Sequence, residues 1–394
     1  MQRIYMDANA TTPVLPEVVA AMMPFWTERF GNASSIHQFG QQARAALDHA
    51  RDAVAHLLHC RASEIVFTSG GTEGDNLALF GTVQAGDHLI TTQIEHHAVL
   101  HAAEELARRG VEVTILPCTP AGLIEPSALC AAMRPNTRLV SILLANNETG
   151  VIQPIPKLAA IAHTGGALFH TDAVQAAAKL PLDLNPKGEL LHEVDLLTIS
   201  GHKIYAPQGT GALFVRRSVR LAPLFHGGTH ERQRRAGTEN LPGIVALGRA
   251  AELAEEWLAS GGPAELARLR DRLEQGILAA VPECGVNGAG APRVCNTTNL
   301  YFDHVEAEAL LIALDLKGLA VSGGSACQSG ATEPSHVLTA MGLSDARARA
   351  SLRFSLTRLT TEEEVDIALA LIPEAVARLR TLSPMWHSPE TAPV

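Results

Sequence analysis

The stretch SGGSACQSG, residues 322–330, sets one thiol, Cys327, among serines, glycines and an alanine. A structural cysteine usually sits among apolar side chains, where it behaves as a small hydrophobe. A thiol on a Ser/Gly segment suits attack instead, because a thiolate is a strong nucleophile and a loop can carry it to and from a reacting centre. A second set of reactive residues falls at the ends of short apolar runs. EIVFTS is followed by Gly70, Gly71 and Thr72, and LVSILLA by Asn146, Asn147 and Glu148. ALFH leads to Asp172 and Gln175, and VDLLTIS to Ser200, His202 and Lys203. A glycine turn opening a helix offers free N–H groups and a positive dipole end, which suits a phosphate. With neither the Gly-Lys-Ser/Thr of a P-loop nor G-x-G-x-x-G, the turn does not read as a nucleotide site. A phosphate cradle, a carboxylate on a following strand and a lysine after the next one are together what pyridoxal 5'-phosphate requires. The lysine forms the Schiff base, and the acid keeps the pyridine nitrogen protonated so that the ring accepts electrons.

Taken singly, each residue has an ordinary alternative. Cys327 could be an inert loop thiol, Lys203 a solvated surface lysine and Asp172 a cap on the following AVQAAAK segment. Thr72 could merely start a helix, and Arg353 could belong to a surface ion pair. His97 and His101 have metal-like spacing with Glu95 nearby, but no third ligand is placed, so no metal is expected. The joint occurrence of the set at successive strand ends favours the chemical reading.

The elements that must position these residues alternate along the chain. EIVFTS, LVSILLA, ALFHTD, VDLLTIS and ALFVR read as buried strands, separated by helices such as IPKLAAIAHTGG, with Pro156 near its start and Gly165 at its close. Near-continuous apolar strands between helices predict a mainly parallel sheet covered on both faces, with ligands beyond the carboxyl ends of the strands. A long helix over Pro242–Ser260 ends at SGGP, a predicted domain boundary. Beyond it follow strand NTTNLYFD, helix EAEALLIALDLKG, strand ASLRFSL and a helix opened by a Thr361-x-x-Glu364 capping box. We expect a large domain over residues 12–259 and a smaller α/β domain made of 1–11 and 260–394.

The 394 residues are 46% hydrophobic and 18% charged, with a formal net charge of -10. The acidic balance and the lack of long Lys/Arg runs argue against nucleic acid and anionic membranes. No apolar run is long enough to cross a bilayer, and the N-terminus has no apolar targeting core. The six cysteines, at 60, 118, 130, 284, 295 and 327, include no C-x-x-C pair. A reduced, cytoplasmic protein is expected.

Nine segments in order, YMDANATTP, GNASSIH, TSGGTEGDN, EHHAV, NNETGVIQPI, HTDAVQAAAK, SGHKIYAPQGTGAL, RRAGTEN and SGGSACQSG with EPSHVL, resemble the pattern of the pyridoxal phosphate-dependent cysteine desulfurases of nitrogen-fixation and iron–sulfur-assembly type. The resemblance covers nearly the whole chain. It implies the aspartate aminotransferase-like α/β fold (fold type I), with a mainly parallel seven-stranded sheet in the large domain. It also implies conversion of L-cysteine to L-alanine with sulfur carried as a persulfide on Cys327. Lys203 would hold the cofactor, Asp172 pair with the pyridine nitrogen, Gln175 bond the phenolic oxygen and His97 lie on the ring face. Gly71, Thr72, Ser200 and His202 would hold the phosphate, with Thr238 reaching in from the second subunit of a homodimer. Asn147 and Arg353 would grip the substrate carboxylate, a task suited to a two-pronged guanidinium. The sulfur acceptor would be an iron–sulfur scaffold or another protein, and the short polar C-terminus leans towards the nitrogen-fixation type. The alternatives are a selenocysteine lyase or other class V enzyme, or a catalytically idle partner protein of the same fold. One departure is local: the chain reads GGTHERQ where the family commonly has GGGQERG, placing His230 and Gln233 at two of the differing positions.

Overall fold

The computed structural model describes residues 3–188, 191–323 and 334–382. Its strands, in chain order, are β1 (Ile4–Tyr5), β2 (Ile65–Thr68), β3 (His88–Thr92), β4 (Glu112–Leu116), β5 (Thr137–Ser141), β6 (Leu168–Asp172), β7 (Leu196–Ser200), β8 (Gly211–Val215), β9 (Cys284–Val286), β10 (Thr297–Phe302), β11 (Leu319–Ala320), β12 (Ser322–Gly323) and β13 (Ser351–Ser355). Seven form one sheet in the order β2-β8-β7-β6-β5-β3-β4. Only β8 runs antiparallel to its neighbours. Its link from β7, residues 201–210, is too short for the crossover that a parallel partner needs. That short link carries Lys203 and keeps it directly above the end of β7.

Alternate strand residues feed two apolar layers, as a sheet covered on both faces requires. Val66, Leu139, Leu196 and Leu213 pack with Leu79, Val99 and Leu106 on one side. Phe67, Val140, Phe169, Leu197, Ile199 and Phe214 pack with Leu47, Val54, Leu158 and Leu247 on the other. The predicted helices form as Gly71–Phe80, Ile155–Thr164 and Leu241–Ala259. The AVQAAAK segment is not a helix but a chain of turns, with Ala178 in the left-handed region at φ 58°. Asp172 therefore caps no helix; its Oδ1 accepts from Val174 N at 2.8 Å across one turn.

A second, antiparallel sheet has the order β12-β13-β10-β9. It builds a separate core from Ile4, Met6 and residues between Leu266 and Val376, among them Leu273, Phe302, Leu310, Phe354 and Ile372. Its last helix, Glu362–Leu382, starts as the sequence predicts. Thr361 and Glu364 exchange reciprocal backbone bonds, at 3.1 and 3.2 Å. The first residues of the chain tie the two sheets together. Met6 and Ala8 bond the backbone of Ser355 in β13, and Thr12 N donates to His202 O beyond β7. No described helix is long and apolar enough to cross a membrane.

Candidate active site

The carboxyl ends of β2, β5, β6 and β7, with the strap of residues 7–12, enclose a cavity of about 360 Å³. Lys203, Asp172, Gln175, Ser200, His202, Gly71, Thr72, His97, Asn147 and Arg353 all line it. The structure thus brings together ten of the predicted site residues, drawn from segments up to some 280 positions apart in the sequence. Thr238 is not among them. It is exposed and lines a separate depression with Ser69, Gly209 and Glu239. Cys327 lies outside the described residues. The chain before it, β12, pairs Ser322 with Arg353, and the chain after it places His336 on the cavity wall.

The phosphate-type cradle is local geometry. Gly70 has φ 154° and ψ -172°, backbone open to glycine, and it turns β2 straight into the Gly71–Phe80 helix. Gly74 lets that helix sit against β7, since a Cβ there would meet Thr198 Cγ2 at 2.7 Å. The free N–H groups of the first turn thereby face the cavity beside Ser200, which is 2% exposed.

Below the cavity the sheet holds acids rather than ion pairs. Burial pushes the Asp172 carboxyl up to about 6, against the opposing pull of the Val174 N–H and of the Lys203 charge. Burial raises Asp75 well above the usual carboxylate range, helped by the charge of Asp172. Glu95, fully buried, is raised to about 8 by burial, although its Oε1 accepts from Thr92 Oγ1 at 2.8 Å and Leu143 N at 3.0 Å. Lys203 is no solvated surface lysine: its Nζ donates to Asn9 O and Ala10 O at 2.5 and 2.6 Å. Burial and the neighbouring lysine hold His202 down to about 4, so its ring is neutral near pH 7.

One wall carries imidazoles. His97 stacks on His336 and His101, with ring centroids 4.6 and 5.0 Å apart. Burial, then those two rings, lowers its proton affinity. His336 is tied at Nε2 to Glu95 O, 2.9 Å away. Among the described residues no His, Cys, Asp or Glu cluster is arranged to hold a metal. The opposite wall carries Arg353, which belongs to no surface pair. It is 3% exposed, donates through Nη2 to Asp7 Oδ1 at 2.8 Å and through Nη1 to Asn147 O at 3.0 Å, and its buried Nε has no partner among the described residues.

A primary amine, a buried carboxylate facing it, a helix N-terminus with a buried serine and an arginine with an unspent N–H make a donor set that fits pyridoxal 5'-phosphate with an amino-acid substrate. The chain matches the model of the Aminotransferase class-V family over residues 4–368. It is 51% identical to a cysteine desulfurase of Trichormus azollae over 387 residues, covering 98% of this chain and 95% of that protein. It is 47% identical to the cysteine desulfurase IscS of Methanosarcina thermophila over 386 residues, covering 97% and 94%. The chain belongs to the cysteine desulfurases of the class-V aminotransferase family. Its fold is that of solved members: a NifS-like protein matches with TM-score 0.87 at 36% identity, covering 96% of this chain and all of that one. A NifS-like protein from Rickettsia africae matches with TM-score 0.85 at 30% identity, covering 95% and 100%.

Several residues of this cysteine desulfurase site carry no strand-end signal. Asp7 and Asn9 come from the N-terminal strap, while Asp75 and His336 sit inside the segments TSGGTEGDN and EPSHVL without standing out in them. Their motifs were visible; their places at the cavity depend on contacts hundreds of residues long.

Proposed function

We propose that this cavity runs the conversion of L-cysteine to L-alanine, with the sulfur leaving as a persulfide on Cys327. The observation that carries the reading is the joint placement of Lys203, Asp172, His97 and Arg353 around one enclosed space. Lys203 would hold pyridoxal 5'-phosphate, with Gly71, Thr72, Ser200 and His202 at its phosphate and Gln175 at its phenolic oxygen. Bound there, the cofactor supplies an electron sink that stabilises charge at the substrate α-carbon and so loosens the β-carbon–sulfur bond.

The chain's own residues do the rest. Asp172 holds a proton at the pyridine nitrogen, and its burial makes that ionic contact strong because little water competes. Arg353, on the cavity wall, would bind the substrate carboxylate through its guanidinium, which Asp7 holds through Nη2. Lys203, within reach of the strap carbonyls of Asn9 and Ala10, moves the α-proton. His97, whose proton affinity is lowered by burial and then by its imidazole neighbours, is available as a proton acceptor or donor on the cavity face. Cys327 thiolate attacks the substrate sulfur; the sulfur–carbon bond breaks, the carbon takes a proton, and alanine and the Cys327 persulfide result.

We read residues 12–259 as the cofactor domain and 1–11 with 260–394 as the smaller one; a separate apolar cluster of Ile4, Met6 and residues from Leu266 to Val376 supports the division, while Val294, Val337, Leu338, Met341 and Ala348 pack into the large core. We read the working unit as a cytoplasmic homodimer in which Thr238 serves the partner's phosphate site. Its exposure, and the tie of the same loop to the cradle helix through Arg235 Nε and Glu73 Oε1 at 2.8 Å, support that reading. The acceptor of the persulfide sulfur would be an iron–sulfur scaffold or a related protein. The test is incubation of the purified holoenzyme with L-cysteine. Alanine should accumulate, one sulfur should be added to the Cys327 peptide, and Cys327→Ser should lose at least about 100-fold in alanine formation. Near-normal alanine formation by Cys327→Ser would remove Cys327 from the mechanism.

A further inference from the structure

The HTDAVQAAAK segment supplies Asp172 and Gln175 to the cavity, and it ends in a second lysine that neither role uses. Lys179 is 8% exposed and lies behind the cavity, not in it. It lines a small internal void with Ala8, Trp257, Leu266, Leu356 and Lys203. A buried lysine in such apolar surroundings needs compensation. Its Nζ donates twice, and both times to one residue: to Gln175 O at 3.0 Å and to Gln175 Oε1 at 2.9 Å.

As an ammonium, Lys179 only donates, so the atom of the Gln175 amide that faces it is the oxygen. The amide nitrogen is thereby turned the other way, and Nε2 donates one hydrogen to Asn9 O at 3.0 Å. Its second hydrogen has no acceptor among the described residues, and Gln175 lines the cavity. Asn9 O and Lys179 Nζ thus hold the amide from its two ends; without Lys179 only the Asn9 carbonyl would oppose a flip that turns the oxygen to the cavity, where it would repel an anionic acceptor.

The geometry points to Lys179 as a positioning residue that locks the Gln175 amide with its N–H donor towards the cofactor's phenolic oxygen. This inference rests on the reading of the cavity as a pyridoxal phosphate site with Gln175 at that oxygen. Lys179 acts through Gln175 and touches no reacting atom. Burial holds its ammonium down to about 7, with Lys203 and Arg353 pushing in the same direction and Cys295 opposing them. Its value to the site therefore lies in the donated hydrogen bond more than in a fixed charge.

The experiment is a double-mutant cycle on Lys179→Met and Gln175→Ala, read as the dissociation constant for pyridoxal 5'-phosphate and as the position of the bound cofactor's visible absorption band. Thermal midpoints of the apoproteins serve as the folding control. Gln175→Ala is expected to weaken cofactor binding by about fivefold to tenfold, the worth of one hydrogen bond, and to move the band. Lys179→Met should produce a comparable weakening and a band shift in the same direction. In the Gln175→Ala background, Lys179→Met should add less than about twofold, because the residue it positions is already gone. Equal factors in both backgrounds would overturn the proposal and leave Lys179 as an independent charge. An unchanged constant and band for Lys179→Met alone would overturn it too. If instead Gln175→Ala itself changes nothing, the placement of Gln175 on the cofactor fails, an outcome separate from the first two. Should Lys179→Met not fold, Lys179→Gln, too short to reach Gln175 Oε1, carries the same cycle.

Discussion

The floor and the far wall of the cavity are built on opposite electrostatic plans. The floor, beyond the ends of β2, β3 and β6, gathers Asp75, Glu95 and Asp172, and holds them with backbone and threonine donors. The wall, on β13, holds Arg353 in a buried ion pair with Asp7 and spends only part of its donor capacity. Burial keeps Asp75 and Glu95 largely protonated near pH 7, whereas Asp172 is ionised there and is stabilised by a cation at its face of the cavity; a guanidinium with a spare N–H needs an anion. A protonated pyridine over the floor and an amino-acid carboxylate at the wall satisfy both, and they fix the ligand's orientation. The buried, unpaired floor is costly to the empty protein, while the paired wall is not.

The largest effect should come from the floor. Asp172→Ala removes the group that keeps the pyridine nitrogen protonated, and turnover of L-cysteine should fall by about 100- to 1000-fold. Cofactor binding should fall much less, since the phosphate contacts are untouched. Equal losses in binding and turnover would erase the distinction between Asp172 and an ordinary binding residue.

The wall should respond differently. Arg353→Leu is expected to reduce kcat/KM for L-cysteine by about 30- to 1000-fold, mainly through KM, as truncating a buried hydrogen-bonded charge does. Asp7→Asn, which keeps the hydrogen bond and loses the charge, should cost about tenfold or less. A KM unchanged in both variants would move the substrate carboxylate elsewhere.

This contrast also separates what the sequence reveals from what it hides. Asp172, Ser200 and Lys203 are legible because each follows a short, continuous apolar strand, and a parallel sheet puts such ends on one edge. Two strands of the same sheet are much less legible. β4, at the sheet edge, reads EVTIL with only Leu116 buried, so it lacks the apolar run of a central strand. β3, HLITT, mixes polar residues whose burial depends on partners, such as His88 bonded to Thr137 and Thr114 at 2.9 and 2.8 Å. Asp7 and Asn9 are illegible for another reason: their roles arise from contacts with Arg353, Lys203 and Ser355, set by how the strap crosses both sheets. No local pattern encodes that crossing. In GGTHERQ, the structure gives the departure a cost at one position: Gln233, which stands where the family commonly has glycine, has φ 66°, where glycine is easiest. Glu231, shared with the family pattern, is gripped by Arg51 with two bonds of 2.7 and 2.6 Å.

A smaller effect follows from the floor's proton affinities. Asp172 and Glu95 ionise near 6 and 8 in the folded chain, above the ordinary carboxylate range, so unfolding releases protons and stability falls as pH rises from about 4 through 8. His96 and His202 ionise near 4, below the ordinary imidazole value, so unfolding takes up protons and stability falls as pH drops from about 6.5 through 4. The apoprotein's thermal midpoint should therefore peak near pH 6 and decline towards pH 4 and towards pH 7; above pH 7 Lys179, held down to about 7, takes up a proton on unfolding and offsets the loss. Pyridoxal 5'-phosphate should flatten the alkaline flank by giving Asp172 a cation. A midpoint that climbs steadily from pH 6 to 7 without cofactor would show that the floor is not the electrostatic burden its burial implies.

The most direct test of the site is chemical trapping. The holoenzyme should be yellow, and borohydride reduction followed by peptide mapping should find the pyridoxyl group on Lys203. The neighbouring buried lysine, Lys179, should stay unmodified. A reduced pyridoxyl group on any other lysine, or a purified chain that binds no pyridoxal 5'-phosphate, would contradict the assignment of this cavity.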